Sequence, residues 1–196
     1  MKTTGLSNYR INKVKENLRY FFNEADEDTV DAGRAWYLQA NIWCELMAVR
    51  YGVSTYKVAS VLSALSPRNK WERNKHDAEA VLKTWRNGGK PEDINVCTFT
   101  SNKDKAFDIL NELQEIEPKS LKTRAFLLNI AYLDTEAITV DVWHLRACFD
   151  KMIVPKSLTP KVYDQLQKAT LQVAKEFNIR GYEFQAVVWG AVRGSL

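Results

Sequence analysis

The sequence predicts an all-α protein. Apolar residues recur three to four positions apart in nearly every long segment, which is the period of an amphipathic helix. Strand signals are short and weak, and they are limited to NVCTF (95–99) and AITV (137–140). No internal repeat and no linker rich in Pro, Gly or Ser interrupts the 196 residues. We therefore expect a single globular domain, 1–196, with about nine or ten helices.

The predicted elements of the amino-terminal half follow one another closely. The apolar residues of RINKVKENLRYFFNE place a first helix over 10–24, and those of the next segment place a second over 31–50. Ser54 is a typical N-cap for a helix that runs through VASVLSAL. Pro67 breaks this pattern, and HDAEAVLKTWRNGG ends at a glycine pair, which predicts a helix stop.

The carboxyl-terminal half continues in the same way. KDKAFDILNELQEI (103–116) is strongly amphipathic and places Leu113 on its apolar face. A short turn, EPKS (117–120), separates it from TRAFLLNIAYL (123–133), which is apolar on most sides and is predicted to be central. PKVYDQLQKATLQVAKEF and YEFQAVVWGAVR supply two final helices.

Composition narrows the class of protein. The chain is 45% hydrophobic and 27% charged, without an apolar run of about 18 residues, so we expect no membrane helix. The polar start carries no secretory signal, which predicts a cytoplasmic protein. Cys44, Cys97 and Cys148 are odd in number and lie in apolar settings, which predicts buried thiols and no disulfide framework. No Cys/His group has metal-ligand spacing, so we predict neither a metal nor a cofactor.

The net charge is +4, and basic residues are concentrated in two places. In SPRNKWERNK (66–75) they surround a tryptophan that could stack on a base, although a solvated connection between helices is the alternative. The predicted nucleic-acid contacts in this segment are Arg68, Asn69, Lys70, Trp71 and Arg73.

The second basic place is a predicted helix–turn–helix unit over 103–133. Such a unit aims the N-terminus of its second helix outward, where free N–H groups and the positive end of the helix dipole attract a phosphate. The predicted phosphate contacts in this unit are Lys119, Ser120, Thr123 and Arg124, with Lys122 beside them.

Asp141 stands out because it interrupts an apolar run, between Val140 and the pair Val142-Trp143. Two explanations remain open. Aspartate is a favoured helix N-cap, worth about 1 kcal/mol. A carboxylate in surroundings that make its charge costly is also typical of a catalytic group.

These segments together resemble the helix-hairpin-helix DNA glycosylases of the endonuclease-III-like superfamily. In that family a hairpin followed by Lys-Thr-Ala opens a buried helix, and an apolar run ending in Val-Asp-Thr-His supplies the catalytic aspartate. KTRA and then ITVDVWHLR follow the same order here. VASVLSALSPRNKWERNKHDAEAVL looks like the family's early helix pair, so the resemblance covers residues 54–146.

Three features depart from the family pattern. Glu117-Pro118-Lys119-Ser120 replaces the usual Pro-Gly-x-Gly of the hairpin, so the tight glycine turn is lost. His144 lies one place later than the family's histidine. The iron–sulfur cysteines of some members have no counterpart.

The resemblance implies a two-lobed helical fold with a central cleft, in which 54–146 forms one lobe and 1–53 with 147–196 the other. It implies a monomer that binds double-stranded DNA and rotates a nucleotide out of the duplex. Asp141 would stabilise the developing positive charge on the sugar, and Lys122 would be the amine nucleophile of lyase-competent members. His144 and Arg146 would contact DNA, and the candidates for the base pocket are Trp36, Asn41 and Gln185.

Three functions are compatible with this pattern. The first is a DNA N-glycosylase, with or without lyase activity, that removes a damaged or modified base. The second follows from LSALSPRNKWERN and FQAVVWGAVR, which look like segments of small glycosylase-fold proteins of bacteriophages. Some such proteins transfer an amine-bearing group onto an activated 5-hydroxymethyluracil, and there Asp141 would activate the amine. The third is a DNA-binding module without catalysis.

Overall fold

The computed structural model describes residues 5–149 and 158–194, and in these ranges every regular element is a helix. The prediction of an all-α protein is confirmed for this part of the chain. The α-helices are α1 Asn8–Asn23, α2 Glu27–Tyr51, α3 Thr55–Leu65, α4 Trp71–Arg86, α5 Thr100–Leu110, α6 Leu121–Tyr132, α7 Val142–Cys148, α8 Pro160–Glu176 and α9 Gly181–Arg193, with a 3-10 turn at Pro91–Asp93. No helix in the described ranges is long and apolar enough to cross a bilayer.

Helix starts are set by side chains that bond to free amides of the first turn. The hydroxyl of Ser54 accepts a hydrogen bond from the amide of Lys57 at 3.2 Å, so the predicted N-cap is confirmed. Thr159 does the same for α8. At the end of α4, Gly88 adopts a left-handed φ of 76° just after the C-cap Asn87, as the predicted stop requires.

The predicted helix over 103–116 is wrong at its end, because α5 stops at Leu110. Glu112 adopts a left-handed φ of 62°, its amide bonds to Ile109 O, and the amide of Leu113 bonds to Asp108 O at 2.8 Å. This is a Schellman C-cap closed by a residue other than glycine. Leu113 is consequently 74% exposed and lies outside the apolar face. The connection to α6 is a ten-residue loop over 111–120, and not the short turn that was predicted.

The chain divides into two compact units, which we call the inserted unit (Ala40–Tyr132) and the terminal unit (Met1–Gln39 with Leu133–Leu196). The predicted lobes had boundaries at 54 and 146, so the observed boundaries fall earlier at both ends. This shift assigns Lys122 to the inserted unit and Asp141 to the terminal unit. The predicted lobes placed both residues together.

The core of the inserted unit is built on α3, which packs against α4, α5 and α6. Every residue from Val58 to Leu65 is buried, two serines included. The segment predicted to be central, α6, buries one face, with Leu127 and Ile130 fully enclosed. The central helix of this unit is therefore α3.

In the terminal unit α9 is the central helix, and it packs against α1, α7 and α8. Phe184 stacks on Phe22 with ring centroids 5.0 Å apart. Gly33 permits close approach of the backbone, since a Cβ there would lie 2.7 Å from Val187 Cα.

The cysteines are free thiols. Cys44 and Cys148 are buried, as predicted, and burial raises the pKa of Cys44 to about 12. Cys97 is exposed, which corrects the prediction for that residue. It lies in an irregular segment, 94–99, where no helix face turns it inward.

Candidate functional site

The segment before Asp141, residues 137–140, is buried and irregular and belongs to no sheet. Its backbone groups are bonded by side chains of α8. The Tyr163 hydroxyl donates to Ile138 O at 2.7 Å and accepts from the Val140 amide at 3.3 Å, and Gln167 Oε1 accepts from the Ile138 amide at 3.2 Å. Buried backbone groups require such partners, and these bonds fix the point at which the chain delivers Asp141.

Asp141 is the N-cap of α7. Its Oδ1 accepts a hydrogen bond from the His144 amide at 2.8 Å, and the residue is half-buried. The capping explanation is therefore confirmed. The cap occupies one of about four lone-pair sites of the carboxylate.

Two buried tyrosines lie close enough to Asp141 to respond to its charge. Burial raises the pKa of Tyr163 to about 12, with the Asp141 carboxylate acting in the same direction. Burial also raises the pKa of Tyr37, and Asp141 adds to that rise. Tyr37 donates to Gln185 Oε1 at 2.9 Å and has a hydrogen bond with Thr139. Both phenols are neutral near pH 7, so they border Asp141 without adding charge.

His144, which was predicted to contact DNA, is 0% exposed and lies in the core. Its Nε2 lies 2.9 Å from Thr170 Oγ1. Thr170 already donates its single proton to Leu166 O, so His144 must be the donor through Nε2–H. Burial lowers the pKa of His144 to about 4, and the ring is therefore a neutral core group.

A cluster of two tryptophans and two arginines forms where α7 and α9 meet. We call Trp143, Arg146, Trp189 and Arg193 the tryptophan–arginine cluster. The Arg146 guanidinium carbon lies 4.3 Å from the Trp143 ring centroid, and that of Arg193 lies 6.0 Å from Trp143 and 5.6 Å from Trp189. These are cation–π distances. The cluster begins two residues after Asp141, and its two arginines place positive charge where α7 and α9 meet.

The three residues predicted for a base pocket have structural partners. Gln185, which was predicted to contact a base, is 2% exposed and accepts a hydrogen bond from the Tyr37 hydroxyl. Asn41 Nδ2 donates to Ile130 O at 2.8 Å and so caps the end of α6. Trp36 is buried against Trp189, with ring centroids 5.4 Å apart. The base pocket has no support from these residues.

In the inserted unit, Asp77 organises the basic segment that precedes α4. This carboxylate is 1% exposed. It accepts hydrogen bonds from Asn69 Nδ2 at 3.0 Å, Arg73 Nε at 2.8 Å and the Cys97 amide at 2.8 Å. Asn69 and Arg73 therefore hold the fold together, which limits what they can offer to a ligand.

The other basic residues of this segment face solvent. Arg68 and Lys70 are exposed, and Lys75 Nζ lies 5.5 Å from the centroid of the half-buried Trp71 ring. Arg68 adopts a left-handed φ of 63° and lies over Phe99 at 5.2 Å. The pair borders a groove of about 350 Å³ lined by Pro67, Arg68, Val96, Cys97, Thr98 and Phe99. Non-glycine residues with such a backbone conformation are common at ligand-binding sites.

The predicted phosphate site at the start of α6 keeps its residues together. Ser120 precedes the helix, and Lys122, Thr123 and Arg124 are half-buried in its first turn. Lys119 is exposed and forms an ion pair with Glu117 at 3.2 Å. A surface pair of this kind is easily opened by a competing phosphate.

A second groove, of about 500 Å³, lies in the terminal unit beside the start of α9. Its lining mixes Arg34 and Lys175 with Glu136 and Glu183. The Arg180 guanidinium is engaged by the Tyr182 hydroxyl at 2.8 Å. Charges of both signs give this groove no preference for an anion. Among the described residues no group of three His, Cys, Asp or Glu is arranged to hold a metal ion.

Comparison with known families gives one match. The model of a family of unknown function, DUF7178, matches residues 1–196. This chain belongs to DUF7178. No curated protein and no solved structure matches it significantly.

For this DUF7178 protein, sequence reasoning missed the roles of Asp77 and Tyr163 and the pairing of arginines with tryptophans, although Arg146 itself was predicted as a DNA contact. Asp77 and Tyr163 act through contacts with distant segments, which no local pattern reveals. Arg193 lies four residues after Trp189 on a predicted helix, and Arg146 lies three after Trp143. That spacing places each pair on one helix face and was the available signal.

Proposed function

We propose that this DUF7178 protein is a DNA-binding enzyme that acts on a flipped-out base, as a DNA N-glycosylase, with Asp141 as its catalytic group. The observation that carries the proposal is the placement of Asp141. A buried segment, held by hydrogen bonds with Tyr163 and Gln167, positions it at the start of α7. The tryptophan–arginine cluster follows directly along α7.

The chemistry assigned to Asp141 follows from charge. When the bond between sugar and base breaks, the electron pair leaves with the base and the anomeric carbon becomes positive. A fixed carboxylate stabilises that charge, and it can also orient the water whose oxygen adds to the same carbon. Electrostatic stabilisation of this kind is worth about 3–4 kcal/mol when a single group is removed.

Phosphate binding is assigned to basic residues. In the inserted unit Arg68, Lys70 and the first turn of α6 supply cations. Residues that bond to phosphates set the position of the protein on the duplex and its affinity, whereas contacts with base edges specify the base. Lys122 belongs to this first turn and is proposed as the lyase nucleophile.

The test compares Asp141→Asn with Asp141→Ser. Asparagine and serine are both good N-caps, so each variant keeps α7 while removing the charge. Purified protein is incubated with DNA carrying candidate modified bases, and free bases, abasic sites and digested nucleosides are measured by mass spectrometry. We expect the wild type to release a base and both variants to lose at least a hundredfold in rate.

Each other outcome contradicts the proposal in a distinct way. A heavier nucleoside in an intact strand would make the protein a base-modifying transferase. DNA binding without any product would leave only a binding module. Full activity in both variants would remove Asp141 from the site.

A further inference from the structure

The tryptophan–arginine cluster contains cations that no carboxylate of residues 5–149 and 158–194 neutralises. Within the described ranges no ion pair joins Arg146 or Arg193 to a carboxylate, in contrast to Arg19, which lies 2.6 Å from Glu176. Arg193 is exposed and Arg146 is half-buried. Both guanidinium carbons lie within 6.0 Å of the Trp143 ring centroid, and a bound anion would offset their positive charge.

Stacking on tryptophan orders these arginines before any ligand arrives. A guanidinium over an indole face keeps its N–H edges free for hydrogen bonds in its own plane. Ordering a long side chain in advance lowers the entropy lost on binding. The planar fork of donors matches the two free oxygens of a phosphodiester.

We propose that Trp143, Arg146 and Arg193 form a phosphate clamp that grips the DNA backbone. The clamp rests on the proposed function for the identity of its ligand, and it assigns a binding role to Arg193 and Trp143. The cluster begins two residues after Asp141, so a gripped phosphate would belong to a nucleotide near the one that reacts. The role of the clamp is to position DNA, and it takes no part in bond breaking.

Helix position offers a competing explanation. Arg146 and Arg193 both lie in the last turn of their helices, where a cation interacts favourably with the helix dipole. A dipole role predicts that neutralising them lowers stability and leaves DNA affinity unchanged. A clamp predicts that neutralising them weakens DNA binding and has little effect on stability.

The experiment measures binding of a fluorescein-labelled DNA duplex by anisotropy over a range of salt concentrations. Asp141→Asn is the parent protein, so that the substrate is not consumed. Into it we introduce Arg146→Gln with Arg193→Gln, and as the control Arg19→Gln with Arg50→Gln, which makes the same charge change at arginines already paired with Glu176 and Glu79. Trp143→Phe tests the stacking platform, and unlabelled RNA and heparin are run as competitors.

We expect the clamp variant to bind at least tenfold more weakly and to lower the slope of log affinity against log salt by about two. The control variant keeps the slope of the parent. Unchanged affinity in the clamp variant, an equal loss in the control, or tighter binding of RNA than of DNA would each overturn the clamp. Failure of the proposed function is separate, because it is read from product formation by the wild type and not from binding.

Discussion

Asp141 and His144 lie three residues apart and show how one helix turn can serve two purposes. The Asp141 carboxylate bonds to the amide of His144, while the His144 ring turns inward to Thr170. The first side chain stays half-buried, and the second has no contact with water. A surface role for one and a core role for the other follow from the direction in which α7 presents them.

The buried ring of His144 makes stability depend on pH. Its pKa is about 4 in the folded protein and 6.5 when exposed. Between these values the unfolded chain binds a proton that the folded chain does not, so stability falls as pH falls through that window. From pH 7 to pH 5 the loss due to this residue should be about 2 kcal/mol.

Urea unfolding at both pH values measures this loss. His144→Gln should remove that part of the pH dependence, whereas His76→Gln at the exposed second histidine should preserve it. Identical pH dependence in the wild type and His144→Gln would mean that the ring is charged or exposed in solution.

At the scale of elements, the irregular segment 137–140 depends on side chains of α8 for backbone hydrogen bonds. Tyr163→Phe keeps the ring and removes the hydroxyl that bonds both Ile138 O and the Val140 amide. Leaving these buried groups unpaired should lower the free energy of unfolding by ~1–3 kcal/mol. Because the same segment delivers Asp141, product formation should fall as well.

Hydrogen exchange at the Val140 amide separates a local effect from a global one. In Tyr163→Phe this amide should exchange faster than the measured global stability allows. Tyr9→Phe, at an exposed tyrosine on α1, serves as the control and should change neither quantity. Exchange at Val140 that matches the control would show that the hydroxyl does not hold the segment.

At the scale of the whole molecule, the features that could be predicted from the sequence are those that depend on local chemistry. The helical class, the N-cap at Ser54 and the stop at Gly88 each depend on neighbours within one turn. The unit boundaries depend on contacts between distant segments. The hydrogen bond from the Cys97 amide to Asp77 and the burial of Gln185 depend on such contacts too. The end of α5 was missed because Glu112 takes a left-handed conformation that composition does not indicate.

Lys122, in the first turn of α6, provides a further test of the proposed function. An amine nucleophile attacks the aldehyde carbon of an abasic sugar, water leaves, and the resulting iminium is reduced by borohydride to a stable bond. Wild-type protein mixed with abasic DNA and borohydride should give a covalent complex on a denaturing gel. Lys122→Ala should abolish this complex.

Lys119→Ala is the matched control, because Lys119 is an exposed lysine three residues earlier in the chain. At protein concentrations that saturate the DNA it should give as much covalent complex as the wild type, since a phosphate contact affects affinity and not the attacking amine. If Lys122→Ala is trapped as well as Lys119→Ala, another amine reacts and the assignment of Lys122 is wrong. If the wild type releases a base but gives no complex, water is the nucleophile, and the protein is a glycosylase without lyase activity.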